Sequence, residues 1–82
     1  MTDIEGDIDL REVLQKVRKR YNMRLPSKVL MVDYDDKEGD LYIRFKEVKQ
    51  QEGQPTKDGL AIVYYDDKNR IVALEVLNIA EL

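Results

Sequence analysis

DYDDKEGDLYIRF, residues 33–45, is the stretch on which the fold depends. Within it Leu41, Ile43 and Phe45 alternate with Tyr42 and Arg44, the period-two pattern of a strand with one buried face. Asp35, Asp36, Lys37 and Glu38 are poor strand formers, and Gly39 tolerates a positive φ where the chain must reverse. The stretch therefore reads as a turn joining a first strand, Lys28 to Tyr34, to a second from Asp40 to Glu47.

Working outward, Tyr34-Asp35-Asp36-Lys37 is echoed by Tyr65-Asp66-Asp67-Lys68, again between apolar runs. A second hairpin is expected, with strands Gly59 to Tyr65 and Arg70 to Leu77 and with Asn69 in the left-handed region. Val48 to Lys57 reads as a polar connection broken by Gly53 and Pro55. Asn78 to Leu82 adds a short helical turn.

Upstream, Asp9 is a good N-cap, Glu12 completes a capping box, and Ile8 can staple to Val13. Leu10, Val13, Leu14, Val17 and Tyr21 then recur at helical spacing and form one apolar stripe, which Asn22 and Pro26 bring to an end. The expected architecture is α+β, an N-terminal helix over residues 8–22 packed on a four-stranded antiparallel sheet made of two β-hairpins over 28–77. Residues 1–7 are expected to be flexible, and the 82 residues make a single small domain. Leu10, Val13, Leu14 and Val17 should pack on Leu41, Ile43 and Phe45.

One helix covers only one face of a sheet, yet the last two strands are apolar on both sides except at Glu75. Ala61, Val63, Tyr65 and Ala73 are therefore expected on the far face, where a homodimer or a small protein partner would cover them.

Composition narrows the chemistry. The chain has no cysteine and no histidine, which excludes disulfides, thiolate and imidazole metal sites and histidine-based catalysis. Ser27 is the only serine, so no enzyme is expected. No apolar run approaches the roughly 20 residues that cross a bilayer, and MTDIEGD is unlike a secretory signal, so a cytoplasmic protein without membrane association is expected. A charged content of 38% with no Trp leans towards a heat-adapted source.

The net charge of -3 conceals a basic segment, since Arg11, Lys16, Arg18, Lys19, Arg20, Arg24 and Lys28 face only Glu12 in the same span. These cations are spread around the helix without interleaved aromatics, which favours a solvated surface over a nucleic-acid site.

Tyr34-Asp35, Leu41 to Phe45, Tyr65-Asp66 and Ile71 to Leu77 together resemble the small bacterial and archaeal proteins of domain-of-unknown-function family 2283, over about residues 30–78. The resemblance implies a fold and no established activity. The chain departs from that pattern at Gly39, where the family tends to place an acidic residue, and at Asn69, where Gly is common.

DKEGDLYIRFKE, residues 36–47, also resembles an EF-hand calcium loop, with oxygen donors at Asp36, Glu38 and Asp40 and a closing Glu47. Leu41 stands where that loop carries Gly, and an extended 40–47 would place Glu47 roughly 23 Å from Asp40. The sequence thus suggests a small calcium-binding protein that holds Ca²⁺ weakly in the turn at 35–40, with Glu47 contributing only if 40–47 is not extended. The alternative is a metal-free interaction module or homodimer, including one that partners a neighbouring small protein.

Overall fold

The computed structural model describes residues 9–47 and 52–82. The expected flexible 1–7, the Ile8 staple and residues 48–51 of the polar connection lie outside these. Helix α1 spans Leu10–Tyr21, and the strands are β1 Met31–Asp35, β2 Asp40–Arg44, β3 Glu52–Pro55, β4 Ala61–Tyr65 and β5 Ile71–Val76. They form one antiparallel sheet in the order β1-β2-β5-β4-β3, and a 3-10 turn, Ile79–Glu81, ends the chain.

The four-stranded sheet of two hairpins is thus corrected to five strands. The additional strand, β3, comes from the polar connection, where Gly53 and Pro55 suppress the propensity signal that identifies strands. An edge strand needs a partner on one side only, and β3 pairs with β4 from Glu52↔Tyr65 to Pro55↔Ile62. Gly53 suits this position, because a Cβ there would lie 2.6 Å from the Tyr64 ring.

Helix α1 begins as its sequence dictates. Asp9 is extended and its carboxylate accepts the Glu12 N–H at 3.3 Å, while Asn22 closes the other end with φ 52. The Glu12 carboxylate lies 3.9 Å from Lys16 Nζ. Val13, Leu14 and Val17 enter the core and meet Leu41, Ile43 and Phe45 of β2 and its extension, together with Ala61, Val63, Leu74 and Val76.

The two Tyr-Asp-Asp-Lys turns have a shared physical cause. Asp35 Oδ1 accepts the Lys37 N–H at 3.1 Å, and Asp66 Oδ1 accepts the Lys68 N–H at 2.8 Å. Each leading aspartate therefore caps its own turn with its side chain. Gly39 (φ 73) and Asn69 (φ 63) supply the left-handed residues. Gly39 has a second constraint, because a Cβ would lie 2.9 Å from Asn78 Oδ1, and its carbonyl accepts the Ile79 N–H where the C-terminal turn docks.

The register overturns the expected facing of Ala61, Val63 and Tyr65, whereas Ala73, paired with Arg44 and Tyr64, does lie on the far face. Leu41 pairs with Val76 and Ile43 with Leu74, while Val76 and Leu74 pair with Ala61 and Val63. Ala61, Val63 and the half-buried Tyr65 therefore lie on the helix side and are not free for self-association. Alternation alone could not decide this, since both sides of these strands are apolar. Beyond Tyr64↔Ala73 the register slips to Tyr65↔Ile71, so the bulge leaves Val72 without a partner on β4, and Val72 and Ala73 are buried outside the helix-facing cluster.

Candidate functional site

The sheet face opposite α1 gathers acidic and aromatic side chains from several strands. By the period-two alternation it carries Met31, Asp33 and Asp35 of β1, Asp40, Tyr42 and Arg44 of β2, Glu75 of β5, and Ile62 and Tyr64 of β4. Register sets their neighbours: Asp33 stands opposite Tyr42, Tyr42 opposite Glu75, and Asp35 opposite Asp40. Four carboxylates from three adjacent strands thus share one surface.

Asp33, Asp35, Asp40, Tyr42 and Glu75 line a recess of about 250 Å³. Its lining tyrosine, Tyr42, pairs with Tyr64 beyond the recess, the ring centroids 6.2 Å apart in an edge-on arrangement. The Tyr64 hydroxyl donates to Glu75 Oε1 at 3.2 Å, and Arg44 Nη2 donates to the Tyr42 hydroxyl at 3.3 Å. Among the described residues, none of the four carboxylates makes an ion pair.

This crowding has an electrostatic consequence. Burial, then hydrogen bonding and charge repulsion from Glu75, then the charges of Asp35 and Asp33, push the Asp40 carboxyl up to about 6. Asp40 Oδ1 is buried without a hydrogen-bond partner among the described residues. Burial, followed by the Glu75 charge, also pushes the Tyr64 hydroxyl upward.

The calcium reading is not supported by this geometry. Asp36 and Glu38 are exposed in the β1–β2 turn, Asp40 begins β2 on the uncovered face, and Glu47 follows the far end of that strand. Extension of β2 therefore separates Glu47 from the turn. Among the described residues no group of three or more acidic side chains is placed to hold a metal ion. The oxygen-rich pattern Asp36, Glu38, Asp40 and Glu47 is that of a capped hairpin, whose leading carboxylate, Asp35, is engaged by a backbone N–H.

A different polar cluster ties the helix to the β3–β4 turn. The Asp58 carboxylate accepts from Arg20 Nε at 2.9 Å, from the Tyr21 hydroxyl at 3.0 Å, from Thr56 Oγ1 at 2.7 Å and from the Leu60 N–H at 3.1 Å. Hydrogen bonds, led by those from Thr56 and Leu60, hold Asp58 below the usual carboxylate range. Both carboxylate oxygens are engaged by groups of the same fold, so this exposed cluster acts as a structural clasp.

Sequence reasoning placed Glu75 on a wetter side of its strand but did not connect it to Asp33, Tyr42 or Tyr64. The period-two alternation signals which residues share a face within a strand, whereas the neighbours across strands depend on the β2–β5 pairing. Arg44 shares this face, while Arg11, Lys16, Lys19 and Arg20 are exposed on α1, and Arg24 and Lys28 on the segment after it. Among the described residues the helix side is therefore the more basic, and the acid of the opposite sheet face is concentrated in the recess. No helix among the described residues is long and apolar enough to cross a membrane. Comparison of the chain with protein-family models, curated proteins and solved structures yields no match.

Proposed function

We propose that the protein is a non-catalytic interaction module whose sheet face opposite α1, uncovered among the described residues, receives a cationic segment of another protein. The observation that carries this reading is the acidic recess, whose carboxylates have no ion-pair partner among the described residues and where burial, followed by Glu75, Asp35 and Asp33, pushes Asp40 up to about 6. A lysine or arginine side chain entering it would relieve that repulsion and would lie beside the Tyr42 and Tyr64 rings, which favour cations over their faces. A second copy of the chain is a poorer occupant, because bringing two such faces together opposes acid with acid. Catalysis is a poorer reading too, since the recess is lined by four carboxylates and Tyr42 and contains no nucleophile with an adjacent base.

The test is a titration of the isotope-labelled chain with a lysine oligopeptide, followed through backbone amide shifts. Saturable shifts confined to 33–35, 40–44 and 73–76, weakened by salt and by Asp33→Asn combined with Glu75→Gln, are expected. Equal shifts at the exposed turn residues Asp36 and Asp67, or a dimer in sedimentation whose contact includes the recess, would refute the proposal.

A further inference from the structure

We propose that the outer edge of β1 is the docking line itself, and that the partner segment adds there as an extended strand with cationic side chains beside Asp33 and Asp35. This rests on the reading that the uncovered face receives a cationic segment, and it specifies how that segment is held. Among the described residues nothing pairs beyond β1, which ends the sheet. Its ladder with β2 runs in unbroken register from Met31↔Arg44 to Asp35↔Asp40, so no bulge interrupts the strand that would template another. An open edge of this kind presents unpaired N–H and C=O groups, which an extended peptide can satisfy.

The opposite edge of the sheet lacks this capacity. β3 is only four residues long, Pro55 has no N–H to donate, and Gly53 contributes no side chain. By contrast β1 contains neither proline nor glycine. What guards it is charge: Asp33 and Asp35 are exposed on the uncovered side, next to the 46% exposed Met31.

That guard discriminates between occupants. An antiparallel second copy paired along all of β1 would set Asp33 opposite Asp33, and like charges directly opposite are destabilising. A strand with lysine or arginine at alternate positions reverses the sign of the same term. Its intervening residues would fall on the helix side, beside the half-buried Val32 and Tyr34, where apolar side chains extend the core. The edge thus specifies a strand that alternates cationic and apolar residues, with its cationic side flanking the recess formed by Asp33, Asp35, Asp40 and Glu75.

The experiment uses the full chain and a synthetic peptide alternating lysine and valine, with a peptide of the same composition in two blocks as control. Binding of the alternating peptide should slow amide exchange within β1 and give nuclear Overhauser contacts between peptide α protons and residues 31–35. The Asp33→Lys, Asp35→Lys double variant should bind it about tenfold more weakly and should instead bind a peptide alternating glutamate and valine. That reversed preference would itself show that the variant is folded. Shifts at Tyr42, Tyr64 and Glu75 without protection of β1 would overturn the edge while leaving the acidic-face reading intact. Equal binding of the alternating and block peptides, or pairing of two β1 strands in a homodimer, would also overturn it.

Discussion

Replacing Asp40 with asparagine should stabilise the protein near neutral pH and leave it unchanged in acid. Asp40 is partly buried, lies near Glu75 across the β2–β5 pairing region and stands opposite Asp35, with Asp33 nearby, so burial first and these carboxylates second disfavour its ionised form in the folded state. A carboxyl raised above its unfolded value contributes stability that is present below the unfolded value and lost as pH rises through the folded one. Here that window runs from 3.8 to about 6. Such a shift sets a ceiling of roughly 3 kcal/mol. Because Asp40 is only partly buried, solvent screening reduces the expected gain to about 1 kcal/mol. The substituted amide would keep a donor for the Glu75 carboxylate and remove the charge. Thermal unfolding followed by circular dichroism, from about pH 3.5 to pH 7.5, should show Tm about 4 to 8 °C higher for Asp40→Asn at the upper end only. An equal gain at both ends, or a loss at pH 7.5, would refute the electrostatic account of the recess.

Two further perturbations probe the scaffold. Leu14→Ala should cost about 2 to 5 kcal/mol in chemical denaturation, because Leu14 is buried among β-sheet residues of the core; an unchanged midpoint would show that α1 does not pack there. Asp58→Ala should speed amide exchange in residues 18–22 and 56–61 while leaving β1 and β2 unaffected, since it releases Arg20, Tyr21 and Thr56 together. The Asp58 carboxyl is depressed in the fold, so the clasp in the parent should weaken as pH falls below the unfolded value of 3.8, and the variant should lack that acid sensitivity.

Local chemistry in the sequence determined the helix, the turns and four strands. Asp9 and Asn22 bound the helix through their side-chain and backbone preferences, and Gly39 and Asn69 take the positive φ that their turns require. The stripe Val13, Leu14 and Val17 and the alternation Leu41, Ile43 and Phe45 identified their own buried faces, because burial follows the period of each element. Tertiary structure decided what depends on partners across strands. β3 exists because β4 offers its Glu52–Pro55 segment a ladder, an interaction invisible in a stretch whose glycine and proline argue against a strand. The side taken by Ala61, Val63 and Tyr65 follows from register with β5, since their own apolar surroundings are ambiguous. The same applies to the recess. The acidic turn in the sequence suggested oxygens converging on a cation within one loop, whereas strand pairing sends Asp40 to the bare face and brings it to Glu75, a residue far along the chain. Composition supplied the carboxylates, and their meeting depends on long-range hydrogen-bond register, which no local pattern encodes.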